Sequence, residues 1–140
     1  MATSPPVFRD ADAPARAPFQ AQIPVPIVPG QNAPNATIAV PKQKHFVIEH
    51  VSAIAGLPSG QRVMFVGVNV IAGGTPATHF LPMHPTGTTS STPGDWFAGA
   101  SPVRLYADPQ TKVTVSVSRS DTTGGGLTAT VSLSGHLVDA

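Results

Sequence analysis

The sequence has no cysteine, few charged residues and few aromatic residues, and each shortage excludes a class of function. Without cysteine the chain can form neither a disulfide framework nor a zinc–thiolate site, and it has no thiol nucleophile. Only 11% of the residues are charged, against about 25% in an average globular protein. The lysines and arginines are scattered, so no basic stripe exists to neutralise a run of phosphates, and we expect no nucleic acid partner.

Long apolar runs are missing as well. No segment approaches the roughly 20 apolar residues of a membrane-spanning helix, so we expect no membrane span. The opening residues, MATSPPVFRD, contain no apolar core of a secretory signal. Because a surface with few charges resists self-association poorly, we expect virion or extracellular assembly rather than a soluble cytoplasmic protein.

The sequence is rich in the alternation of apolar and polar residues that is typical of strands. From Val113 to Ser118 valines alternate with threonine and serine, and the run from Leu127 to Leu137 has the same period of two. Successive side chains of a strand point to opposite faces of a sheet, so each run predicts a strand with one apolar and one Ser/Thr face. The glycine-rich segment DTTGGG between them predicts a turn, and hence an antiparallel hairpin.

Further strand patterns predict an all-β fold. They lie at residues 37–40, 44–54, 62–71, 77–83 and 102–107. The run 62–71 is apolar on both faces, which predicts a central strand covered on both sides. Turn residues separate the runs and no helical period occurs, so we predict an antiparallel β-sandwich of jelly-roll or similar Greek-key type, with seven or eight strands.

The first 35 residues are rich in proline but also carry large apolar side chains. Apolar residues alternate with glutamine and proline from Phe19 to Ile27, and Pro24 and Pro26 turn the same way, as in an edge strand. We therefore divide the chain into an extended N-terminal arm, residues 1–35, and a β-sandwich domain, residues 36–140. The arm docks on its own sheet or on that of a neighbouring subunit; the alternative is a disordered tail. The anchors that we predict at an oligomer interface are Phe8, Phe19, Ile23, Val25 and Ile27.

A long loop is predicted from His84 to Ala100, and it contains the only tryptophan. Loops of this length in compact domains are usually functional or disordered. Trp96 and Phe97, with Tyr106 nearby, form a candidate stacking platform for carbohydrate. The alternative is that Trp96 and Phe97 fill the end of the sandwich or a subunit contact. The Ser/Thr face of the C-terminal strands is either a flat recognition surface for glycan or ice, or a solvated sheet face or polar subunit contact.

Catalytic and metal-binding patterns are sparse. His79 and His84 flank a short predicted strand, with Asp95 further along, but their spacing matches no metal-ligand motif. Glu49 and His50 are adjacent on a predicted strand, so they are expected to face opposite ways. No Gly-x-Ser-x-Gly motif occurs, and the glycine runs do not precede a helix. We expect no enzymatic activity, no cofactor and no metal site.

A proline-rich apolar arm joined to a small jelly-roll-like body resembles, in architecture, viral coat, decoration and head-fibre proteins, and filament subunits that donate a strand to a neighbour. The resemblance implies a non-enzymatic structural subunit that self-assembles through its arm as a homo-oligomer. Other structural proteins or glycan are the further partners it implies. The second hypothesis is a carbohydrate-binding β-sandwich module that uses the loop at residues 84–100.

Overall fold

The computed structural model describes residues 16–88, 94–125 and 127–140, and every regular element among them is a strand. The predicted all-β class is therefore confirmed. The strands are β1 (Arg16–Pro26), β2 (Asn35–Ala39), β3 (Lys44–Leu57), β4 (Val63–Ala72), β5 (Thr75–Leu81), β6 (His84–Thr88), β7 (Asp95–Ala107), β8 (Lys112–Arg119) and β9 (Thr128–Asp139). None of the described residues forms a helix that is long and apolar enough to cross a membrane.

The strands form two antiparallel sheets with a core of buried apolar side chains. The five-stranded sheet has the order β1-β9-β3-β7-β6, and the four-stranded sheet has the order β2-β8-β4-β5. Both sheets contribute alternate residues to the core, so the arrangement is a two-layer sandwich. The strands of the first half of the chain pair with those of the second half in reverse order: β1 with β9, β2 with β8, and β3 with β7.

The two C-terminal runs are strands as predicted, but the predicted hairpin between them is wrong. β8 pairs with β2 and β4, whereas β9 pairs with β1 and β3. Val115 and Val131 thus enter the core from opposite sheets. The apolar side of each strand is thereby buried between the two sheets, which a hairpin within one sheet would not achieve by itself.

The segment from Phe19 to Ile27 is placed on the chain's own sheet. It pairs with β9 along its whole length, and Ile23, Val25 and Ile27 are at most 3% exposed in the core. Phe19 packs edge to face on Phe46, with 4.6 Å between ring centroids. From residue 16 onward the predicted arm therefore lies on its own chain's sheet, and Ile23, Val25 and Ile27 lie in that chain's core. Phe8 lies outside the described residues.

β4 is central in its sheet, as predicted, but it is covered on one face only. Val66, Val68 and Val70 are buried, whereas Met64 and Phe65 are 60% and 40% exposed. The prediction of cover on both sides is wrong because a sandwich of two layers gives each sheet one inner and one outer face.

The segment 84–100 was predicted as a loop, and it is instead largely the β6–β7 hairpin. β7 also pairs with β3 from Asp95 to Ala107. The strand predicted at residues 102–107 is the second half of β7. The first half was not predicted because Ala98, Gly99 and Ala100 are all small, so the sequence shows no apolar–polar alternation there. Residues 89–93 lie outside the described part of the chain.

Arg119, at the end of β8, holds together the loops at one end of the sandwich. Its guanidinium is buried and donates to the carbonyl oxygens of Val28, Gln31, Thr122, Thr123 and Gly124 at 2.9 to 3.3 Å. It also donates to the side-chain oxygen of the buried Gln61. These bonds fix the connection after β1 and the connection between β8 and β9.

Candidate binding surfaces

The three aromatic residues predicted to form one platform are not brought together. Phe97 is buried in the core, and Trp96, its neighbour on β7, points to the outer face. Tyr106 is exposed near the far end of the same strand, about 30 Å away at roughly 3.3 Å per residue. A carbohydrate site built jointly from these three side chains is therefore not present.

The indole ring of Trp96 lies against Gly56 of the neighbouring strand β3, and only glycine fits beneath it. A Cβ atom added at Gly56 would lie 2.8 Å from the indole ring. The indole Nε1 is buried and has no hydrogen-bond partner among the described residues. A cavity of about 620 Å³ adjoins Trp96, and Arg62, Met83 and Asp95 contribute to its lining.

The histidines form no metal centre in the described part of the chain. His79 lies on β5 and His84 begins β6, and no group of three or more potential ligands occurs among the described residues. Glu49 and His50 form no hydrogen bond or ion pair with each other in the described structure, but the expectation that they face opposite ways is wrong. Glu49 contacts His136 on the outer face of the sheet, with 2.7 Å between Oε1 and Nδ1, and His50 lies on the same face beside Ser134. A β-bulge between Ile48 and His50 allows this contact, and nothing in the local alternation indicates it.

The outer face of the five-stranded sheet carries a shallow trough, which we define by Gln20, Gln22, His50, Ser52, Ile54, Thr130, Ser132 and Ser134. Its larger part has a volume of about 540 Å³, and a second part of about 210 Å³ shares Gln22, Ser52 and Ser132 with it. The strand pairing places its side chains in rows across the sheet. One row runs from Gln22 through Ser132 to Ser52, and the next from Gln20 through Ser134 to His50. The predicted Ser/Thr face of β9 is thus one side of a surface depression.

The outer face of the four-stranded sheet carries an exposed apolar cluster, which we call the aromatic patch: Met64, Phe65 and Phe80. The rings of Phe65 and Phe80 pack edge to face with centroids 5.0 Å apart, and Phe80 is 63% exposed. In the strand pairing Ser118 lies beside Phe65, and Gly67 lies between Phe80 and Ser116. The patch was not singled out in the sequence because its residues come from β4 and β5, which only the fold brings side by side.

A scan against protein-family models found no match, and no significant match was found among curated proteins or among solved structures. What this chain does therefore has to be inferred from its own residues.

Proposed function

We propose that the chain is a non-enzymatic structural subunit that assembles with further copies of itself, in the manner of virion coat, decoration or fibre subunits. The aromatic patch is the observation that carries this proposal. The assembled form is a homo-oligomer, and the predicted arm contributes to it.

The order of strand pairing supports a jelly-roll topology. Pairing of β1 with β9, β2 with β8 and β3 with β7 is that of one long hairpin rolled into two sheets, with β6 as an additional edge strand. Jelly rolls are found in viral capsid and lectin domains. Because one fold hosts many functions, the surface has to decide between them.

The aromatic patch is suited to contact with a second copy of the chain. Phe65, Phe80 and Met64 are between 40% and 63% exposed, and exposed apolar clusters of this kind mark interaction sites. The side chains that the strand pairing places beside Phe65 and Phe80 are neutral: Thr78, Ser116 and Ser118, with Asn69 and Thr114 in the next row. Two copies that meet here bury apolar surface without stripping water from a charge.

The edge of β1 is poorly suited to accept a strand from a neighbour. The amide of Ile27 donates inward to the carbonyl of Leu127, so the alternate positions of β1 direct their backbone groups outward. Prolines occupy three of these outward positions, at residues 18, 24 and 26, and they have no amide hydrogen to donate. The arm therefore contributes through the residues before β1, or through exchange of β1 between copies, which keeps the core contacts of Ile23 and Val25.

The aromatic patch is tested with the double variant Phe65→Ser/Phe80→Ser, with Tyr106→Ser as the matched control. Tyr106 is 49% exposed on the opposite sheet and is outside the patch. Light scattering on a dilution series is expected to show an oligomer for the parent and for the control, and a 14.3 kDa monomer for the double variant. A monomeric parent protein contradicts self-assembly, and an unchanged oligomer in the double variant excludes the patch as its contact.

Deletion of residues 1–15 tests the arm separately, because it leaves β1 and its core side chains in place. We expect a smaller or weaker oligomer by light scattering. Removal of residues 1–27 is not a suitable test, since it takes Ile23, Val25 and Ile27 out of the core and so destabilises the fold itself. An oligomer unaffected by loss of residues 1–15 excludes them from the contact.

A further inference from the structure

The shape of the trough follows from the sizes of the side chains across the five-stranded sheet. Ser132, Ser52 and Ala100 lie side by side on β9, β3 and β7, and they leave a low floor. Gln22 on the edge strand β1 rises beside this floor. Neighbouring strands are about 4.8 Å apart, so the floor is about 10 Å wide. A floor of this width accommodates one linear chain of linked small rings, such as sugar rings.

The polar side chains of the trough are free to bind a ligand. Among the hydrogen bonds found in the described part of the chain, none involves the side chains of Gln20, Gln22, His50, Ser52, Thr130, Ser132 or Ser134. On the other sheet, by contrast, Asn69 donates to Thr78 across neighbouring strands at 2.9 Å. Each glutamine amide offers two donors and one acceptor oxygen, and each hydroxyl both donates and accepts.

The lining of the trough contains no lysine, arginine, aspartate or glutamate. Glu49 and His136 lie beyond the row of Ser134, and they contact each other. A phosphate or carboxylate ligand usually requires a basic partner, and a cationic ligand an acidic one. A ligand with many neutral hydroxyl groups instead matches both the donors and the acceptors without loss of charge hydration.

Apolar side chains continue the same face beyond the polar rows. Ile54 is 47% exposed in the row next to Ser52, and Trp96 lies over Gly56 in the row after that. From His50 to Gly56 the strand covers about 20 Å. Sugars present C–H groups as well as hydroxyl groups, so a face that combines amides, hydroxyls, an aliphatic and an indole side chain is complementary to them.

We propose that the trough is a binding site for a neutral oligosaccharide, which lies along β3 with its hydroxyl groups on Gln20, Gln22 and the serines, and one end near Trp96. This site differs from the platform predicted on the sequence, since it uses neither Phe97 nor Tyr106. It is independent of the aromatic patch, which lies on the other sheet.

The test uses the full chain and neutral hexasaccharides of glucose, mannose, xylose and galactose, with hexagalacturonate as the anionic comparison. Binding is measured by isothermal titration and by Trp96 fluorescence. The variant is Gln20→Ala/Gln22→Ala, and the matched control is Asn35→Ala/Thr37→Ala, two exposed positions on the edge strand β2 of the other sheet. We expect at least one neutral hexasaccharide to bind and shift the emission, and the glutamine variant to lose about tenfold in affinity, the effect of one or two hydrogen bonds.

Four results overturn the proposal. They are no binding of any neutral hexasaccharide, binding of hexagalacturonate alone, equal affinity of the two double variants, and a trough covered by another subunit. The last is tested by introducing Ser52→Cys into the parent protein, which forms the oligomer, and into the Phe65→Ser/Phe80→Ser monomer. We expect a maleimide to label the introduced thiol equally fast in both. Slow labelling in the oligomer alone would assign this face to a subunit contact.

Discussion

At the scale of single residues, the side chain of Arg119 makes more hydrogen bonds than any other side chain in the described structure. Its buried guanidinium has no carboxylate partner among the residues that the structure describes, and it is stable here because backbone carbonyl groups and Gln61 accept from all of its nitrogens. The same bonds tie together carbonyl groups of two connections at this end of the sandwich, residues 28–31 and 122–124.

Replacement of Arg119 by methionine keeps most of the side-chain volume and removes every donor. We expect the free energy of unfolding to fall by about 3 kcal/mol, since several carbonyl groups lose a charged hydrogen-bond partner. Urea denaturation followed by circular dichroism measures this loss. The exposed Arg104→Met is the control and should change stability by less than about 0.5 kcal/mol. A loss for Arg119→Met as small as that of the control would refute the role of Arg119.

Asp121, two residues after Arg119, is expected to make the free energy of unfolding fall at low pH. The backbone amide of Thr123 donates to its carboxylate at 3.0 Å, and this bond, together with bonds from the Thr123 hydroxyl and the Thr122 amide, lowers the pKa of Asp121 below its ordinary value. A group with a lowered pKa in the folded state stabilises the fold at pH values above its unfolded pKa, and this contribution is lost as the pH falls through the folded pKa.

We therefore expect the parent protein to lose more stability than Asp121→Asn between pH 6 and about pH 2, because asparagine does not titrate. Urea midpoints across this range give the comparison, and the NMR titration of the Asp121 carboxyl carbon gives its pKa directly. Parallel pH profiles for the two proteins would contradict the expectation, as would an Asp121 pKa at or above its ordinary value.

Neither Arg119 nor the Glu49–His136 contact could be predicted from the sequence. An arginine at the end of a strand is normally solvated, and only the position of three separate loops makes this one buried. Glu49 and His136 come from strands far apart in the chain, and the bulge that lets them meet breaks the alternation on which the strand prediction rests. Local pattern contains no information on either contact.

At the scale of the elements, the prolines of β1 protect an exposed sheet edge. Strand edges with free donors are templates for aggregation, and proline at outward positions removes these donors. Pro24 and Pro26 are both in such positions, and Gln20 and Gln22 share the outward orientation but keep their amide hydrogens. This gives a matched pair of variants in one strand.

Pro24→Thr/Pro26→Thr should aggregate faster than the parent protein, since it restores two outward amides and extends the row already present at residues 20 and 22. Gln20→Thr/Gln22→Thr, which raises β propensity without adding a donor, should not. Light scattering and thioflavin T fluorescence during incubation at 37 °C measure the rates. Equal rates for the two double variants would show that propensity, and not the restored donors, controls aggregation.

The individual strands were largely predictable, and their partners were not. Alternation placed β3, β8 and β9 and indicated an edge strand between Phe19 and Ile27, because each of these has one buried and one solvated face. Proximity in the chain favoured a hairpin of the last two strands, yet the rolled pairing puts them in different sheets. β7 escaped detection where its side chains are too small to show a pattern. The trough could not be predicted either, because it depends on which strands lie side by side, and the sequence does not show which strands pair.

At the scale of the whole molecule, the sparse charge determines how copies of the chain should associate. The formal net charge is +1, and the side chains that the strand pairing places beside Phe65 and Phe80 are neutral. Repulsion between copies is therefore weak at neutral pH, and contact at the patch depends on apolar burial.

We expect the dissociation constant of the oligomer to change less than about threefold between 0.05 and 1 M sodium chloride. Screening of ion pairs increases over this range, so a contact that depended on them would weaken. Ammonium sulfate should tighten association, because it favours burial of apolar surface. Sedimentation velocity at several salt concentrations measures both effects. Dissociation in sodium chloride would indicate that ion pairs hold the oligomer together, contrary to the proposed contact.

The shared position of β9 between β1 and β3 also sets the timing of folding during synthesis. β1 ends at Pro26 and β9 begins at Thr128, so a ribosome that adds roughly 5 to 20 residues per second needs about 5 to 20 seconds to supply the missing strand. In that interval Ile23 and Val25 lack the strand that pairs with them in the finished sheet. The prolines beside these two residues then close one edge of the unfinished segment as they do in the finished sheet, whereas its other edge keeps the amides that later donate to β9.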